Sequence, residues 1–118
     1  MEVWEERRRF PRFNLLVDVL VSKRATSEQE KLLITKNISQ GGACIIADEE
    51  FKESDILDLK IFLPEEKQPL KVPATVVWVR EIVIGEEGEK RRYDVGVKFI
   101  GLDTETMNKF NRYLVNHS

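Results

Sequence analysis

Four arginines stand within six residues near the start of the chain, Arg7-Arg8-Arg9-Phe10-Pro11-Arg12, with no carboxylate among them. A guanidinium keeps its proton near neutral pH and so does no acid–base work. Its planar fork instead donates paired hydrogen bonds to phosphate and to guanine edges, and it stacks on flat rings. Pro11 fixes its own φ and biases Phe10 away from helical geometry, so the arginines are expected on an extended segment. The chemistry points to an anionic, nucleotide-like partner. Read alone, the hexamer is more simply a solvated charge run.

A second stretch, Asn37-Ile38-Ser39-Gln40-Gly41-Gly42, changes that balance. Asn37 and Ser39 sit at alternate positions, which in an extended chain puts both side chains on one side, and Gly41 and Gly42 let another group approach the backbone. Gly42 is expected either to take a positive φ or to lie against a ligand. By itself the stretch reads as a turn whose asparagine and serine satisfy nearby backbone groups.

The elements that must position these residues are mostly strands. Phe13, Leu15, Val17, Val19 and Val21 alternate over 13–21, and Lys31–Ser39 and Ala43–Ala47 have β character on either side of the glycines. Leu57, Leu59, Ile61 and Leu63 alternate, and Leu70, Val72, Ala74, Val76 and Trp78 share a face of a strand reaching Ile84. Pro73 is expected to leave a break or an unpaired position there. Residues 85–89 read as a hairpin loop, followed by a returning strand with Tyr93, Val95, Val97 and Phe99 inward. Asp103 or Thr104 caps a final helix whose Met107, Phe110 and Leu114 face the body. Six strands with no helix between them predict an all-β, antiparallel barrel or sandwich with a C-terminal helix.

Composition narrows the classes. The 118 residues suit one domain, with 42% hydrophobic and 34% charged residues and no apolar run of membrane-spanning length. The acidic start Met1–Glu6 lacks the order of a secretory signal, and the single cysteine, Cys44, excludes an intrachain disulfide. A cytoplasmic protein without membrane insertion is expected. Net charge is −2; residues 1–12 hold four arginines against three glutamates, and the remainder holds 15 basic against 18 acidic side chains. Focused positive charge on an acidic body suits a small polyanion better than a nucleic-acid polymer.

Taken together, Arg8-x-x-x-Arg12 and Asn37-x-Ser39-x-x-Gly42 resemble the two-part signature of the PilZ family of cyclic di-GMP receptors. The resemblance continues through Ala74-Thr75-Val76-Val77-Trp78 and Asp94-Val95-Gly96-Val97-Lys98-Phe99. It implies a stand-alone PilZ domain: a six-stranded antiparallel β-barrel over 14–118 with a C-terminal α-helix, and a flexible arm over 1–13 that folds across the barrel mouth when the ligand binds. By the same resemblance Arg8 and Arg12 would hold phosphate and the guanine edge. Asn37, Ser39, Gly41 and Gly42 would meet the other side of the base, and Arg7 would help hold a second ligand molecule. The family's motif takes aspartate or asparagine at its first position; Asn37 supplies an amide, which donates as well as accepts.

The reading is of a non-enzymatic receptor that needs no cofactor and signals to an unidentified protein partner. Alternatives are a barrel for single-stranded nucleic acid, for which Phe62 is the only aromatic placed on a polar strand face, and a PilZ-like domain acting through protein contacts alone. No histidine or cysteine constellation is present for a metal-dependent hydrolase, since His117, at the terminus, is the only histidine. Cys44 and Trp78 are expected in the core, with a place at a ligand rim as the alternative for Trp78, while Trp4 is left for the body or a partner.

Overall fold

The computed structural model describes residues 16–26, 30–64, 66–85 and 90–116. Among these, the strands are β1 (Asp18–Lys23), β2 (Lys31–Ile38), β3 (Gly42–Ala47), β4 (Ile56–Phe62), β5 (Leu70–Ile84) and β6 (Lys90–Phe99), followed by helix α1 (Thr104–Asn116). They close into a barrel in the order β1-β2-β3-β6-β5-β4, every neighbouring pair antiparallel. The six-stranded antiparallel barrel and C-terminal helix expected from the sequence are what is found. Closure pairs β1 with β4, so each of the six strands has a partner on both sides over part of its length, while the far ends of β5 and β6 continue as a two-stranded ribbon.

Alternation explains the interior. Val19 and Val21, Leu57, Leu59 and Ile61, Leu70, Val72, Ala74 and Val76, and Val95 and Val97 are buried in one apolar cluster, while the residues that alternate with them face out. These side chains fill the lumen, as the small diameter of a six-stranded barrel requires. Any ligand must therefore be held on an outer surface.

Three details depart from the sequence reading. The first strand begins at Asp18 and runs on to Lys23, which pairs with Leu57; residues 13–15 lie outside the described residues, and Leu16 is 73% exposed. Pro73 interrupts nothing: it pairs with Asp58, and its carbonyl accepts the N–H of Ile100 at 2.8 Å. In an antiparallel strand a residue's N–H and C=O point the same way, so the donor that proline lacks faces the spot where β6 has just ended. Met107 is 40% exposed, because the buried stripe of α1 is Phe110, Tyr113 and Leu114, with Met107 at its margin.

The helix is fixed at its start and at the first residue of that stripe. Asp103 caps it, its Oδ1 accepting the N–H of Thr106 at 2.7 Å, and this bond, with the Thr106 hydroxyl, holds the Asp103 carboxyl below the usual carboxylate range. The Phe110 ring stacks on Phe99 at 5.4 Å between centroids, tying α1 to the last residue of β6.

Candidate ligand-binding face

The barrel carries two register shifts, and they face each other. Between β2 and β3, Thr35 pairs with Ile45 but Asn37 with Cys44, leaving Lys36 as the extra residue. Between β5 and β6, Val76 pairs with Val97 but Trp78 with Gly96, leaving Val77 extra. An extra residue breaks the alternation of a strand, so two neighbours in sequence turn to the same side. Lys36 and Asn37 thus both leave the core face, as do Val77 and Trp78. Cys44 pairs in turn with Gly96. The result is one row across four strands, Asn37–Cys44–Gly96–Trp78, on the outer wall.

Trp78 is accordingly not the core residue that simple alternation predicts. It is 36% exposed and lies across Gly96, where a Cβ would run into the indole ring. Gly96 is therefore the residue that lets a large aromatic lie flat against β6. Cys44 is buried as expected, but it alternates with the core residues Ala43 and Ile45 and so belongs to this outer row rather than to the interior cluster. With Phe62, Trp78 makes a second exposed strand aromatic where the sequence reading had placed one.

The turn at the edge of the row is shaped by Ser39. Its N–H donates to the carbonyl of Gly42 at 2.9 Å, its hydroxyl donates to the same oxygen at 3.4 Å, and its Oγ accepts the N–H of Gly41 at 3.2 Å. The carbonyl of Gly41 accepts the N–H of Phe99 at 2.9 Å, and Gly42 opens β3 opposite Lys98. Of the two roles expected for Gly42, a positive φ is not observed; among the described glycines that conformation belongs to Gly85 and Gly101. The close approach is real, but it is to protein: a Cβ on Gly42 would meet the carbonyl oxygen of Val97. The glycine is needed for β3 to lie against β6, whatever else it touches.

Arg7, Arg8 and Arg12 lie outside the described residues, as does the whole arm expected over 1–13. The chain is described from Leu16, just beyond it. The N–H of Val17 donates to Thr35 Oγ1 at 3.0 Å, and the N–H of Thr35 donates to the carbonyl of Val17 at 2.9 Å. Thr35 is two residues from Asn37, so the chain enters the barrel beside the row.

One feature of the face was not foreseen. Asp94, two residues from Gly96 and on the same outer side, is completely buried, yet three cations surround it. Lys36 Nζ and an Arg80 Nη lie 3.3 and 3.2 Å from Oδ2, and Arg92 Nε lies 3.6 Å from Oδ1. Strand parity holds the signal: Asp94 opposes Arg80, and Lys36 and Arg80 neighbour the row residues Asn37 and Trp78. Among the described residues no group of three or more His, Cys, Asp or Glu could hold a metal ion, and no helix is long and apolar enough to cross a membrane.

A closed six-stranded antiparallel barrel with a filled lumen and a C-terminal helix defines the class. The PilZ domain family profile matches residues 6–116, and the chain belongs to that family. Solved structures agree in fold. The c-di-GMP complex of K. pneumonia MrkH superposes with a TM-score of 0.74 at 20% identity, covering 93% of this chain and 52% of that one. The Bacillus subtilis inhibitor of motility MotI/DgrA gives 0.68 at 25% identity, covering 94% and 51%. The PilZ domain of Escherichia coli YcgR, solved with c-di-GMP, gives 0.73 at 13% identity, covering 93% and 90%. The chain spans about half the length of the first two. No match was found among curated proteins.

Proposed function

We propose that the chain is a receptor for cyclic di-GMP, held between the outer row of the barrel and an arm formed by residues 1–13. Family membership and both parts of the arginine and Asn-x-Ser-x-x-Gly signature support the ligand. The observation that carries the reading is the position of the arm's root. Arg12 stands five positions before Val17, about 17 Å of chain if fully extended, and Val17 is bonded to Thr35, two residues from Asn37. Arg12, and Arg8 one extended stretch beyond it, can therefore reach a ligand lying on the row.

Each part has a role suited to its chemistry. The arginine forks engage phosphate and the O6 and N7 acceptors of guanine, while the Asn37 amide donates and accepts at a base edge. Trp78, whose ring already lies flat on the wall, offers a stacking surface for a base. Arg7 would serve a second ligand molecule stacked on the first. Closure of the arm would move Trp4 and the carboxylates of Glu2, Glu5 and Glu6 to a new place on the barrel, and a protein partner would recognise that altered surface. No chemical step is assigned to the site; the domain acts by binding.

Calorimetric titration tests the ligand. Saturable binding of cyclic di-GMP, with cyclic di-AMP and GMP at least tenfold weaker, is the expected result, because the guanine edge is part of what is read. Equal affinity for cyclic di-AMP, or none for cyclic di-GMP, would contradict the proposal. A stoichiometry of two ligands per chain would assign Arg7 its role; a stoichiometry of one would remove it.

A further inference from the structure

The cation cluster around Asp94 has more charge than the fold needs. Three side chains, Lys36, Arg80 and Arg92, converge on one carboxylate, a surplus of two positive charges. Among the described residues Asp94 is the only carboxylate paired with any of the three. The carboxylate is wholly covered, whereas the side chains of Lys36 and Arg80 remain 45% and 64% exposed, so of this cluster a ligand would meet the cations and not the carboxylate. Holding like charges together at the surface is unfavourable unless an anion joins them. A barrel that merely had to neutralise Asp94 would need one partner.

The cluster is also in the right place. Asp94 and Arg80 are directly opposed and lie two residues along their strands from Gly96 and Trp78, about 7 Å away on the same outer side. The bulge that turns Asn37 outward turns Lys36 outward as well. The cluster therefore borders the proposed ligand row along one side.

We propose that Asp94 is a positioning residue which gathers Lys36 and Arg80 into a clamp for a phosphodiester of the bound cyclic dinucleotide. The inference rests on the reading that the Asn37–Trp78 row takes that ligand. Asp94 itself touches no ligand; being buried, it fixes where the two exposed cations stand. Lys36 and Arg80 donate to phosphate oxygens from the barrel side. Arg92, on the other carboxylate oxygen, completes the shell.

Calorimetry of Lys36→Gln, Arg80→Gln and Asp94→Asn with cyclic di-GMP, each checked by its thermal midpoint, tests the proposal. Each cation variant is expected to lose about tenfold in affinity and to show a weaker dependence on salt. Asp94→Asn makes the face more positive by one charge, so a purely electrostatic role predicts tighter binding; positioning predicts weaker binding. In the Lys36→Gln/Arg80→Gln background Asp94→Asn should change affinity no further, a coupling that general destabilisation would not produce. Unchanged affinity in both cation variants, or tighter binding in Asp94→Asn, overturns the proposal. If Asp94→Asn does not fold, the two surface variants still decide it. Arg8→Ala separates the two levels. Weak binding there with normal binding in the cation variants refutes the clamp alone, whereas absence of binding by the unaltered protein refutes both the clamp and the receptor reading.

Discussion

Replacing Arg8 or Arg12 with alanine is expected to weaken cyclic di-GMP binding by roughly 10- to 150-fold while leaving the thermal midpoint unchanged. A hydrogen bond to a charged group is worth about 1.5 to 3 kcal/mol, which converts to that range of affinity. The barrel should be indifferent, because the six strands that close it run from Asp18 onwards. Arginine to lysine should rescue little, since a point charge cannot reproduce a fork that reads phosphate and guanine together. Calorimetry on both variants checks this; an unaltered affinity in either would remove that arginine from the site.

Gly42→Val is expected to damage the barrel before it damages binding. The first side-chain carbon would meet the Val97 carbonyl oxygen, which is backbone of β6 and cannot swing aside as a side chain could. Gly42 pairs with Lys98 in that same ladder, and its carbonyl also accepts from Ser39, so displacement would disturb the turn and the sheet together. Overpacking of this kind costs about 1 to 3 kcal/mol or more, a large share of the 5 to 15 kcal/mol that holds a typical domain together. Urea unfolding followed by far-UV circular dichroism should show a clearly lowered midpoint. A wild-type midpoint with lost binding would instead return Gly42 to the role of a ligand contact.

Gly42 illustrates where the sequence was legible and where it was not. The spacing of small and polar residues marked the turn correctly, but a glycine required by a neighbouring strand looks the same in sequence as one required by a ligand. Alternation located the strands because buried and exposed positions differ in polarity over most of β4 and the first half of β5, whereas in β2 the exposed Leu32 and Ile34 and the buried Thr35 run against it. It failed at Val76-Val77-Trp78-Val79, where every residue is apolar and an inserted position leaves no trace in the pattern. That bulge moved Trp78 from the expected core to the outer row. Asp94 was invisible for a related reason: its partners come from β2, β5 and β6, and only the closed barrel brings those strands side by side. On the helix, Met107 has the spacing of a core residue, but the buried stripe is centred one turn later on Phe110 and Tyr113.

The arm is the part of the account on which function turns. Fixing each backbone residue costs about 1 to 2 kcal/mol, so closure is favourable only if several arginines engage the ligand at once. Amide hydrogen exchange of the full chain, with and without saturating cyclic di-GMP, measures that closure directly. Slower exchange across residues 5–13 in the bound state, accompanied by added protection of the Ser39–Gly42 turn, is the predicted result. Equal exchange of residues 5–13 in the free and the ligand-saturated protein would contradict it.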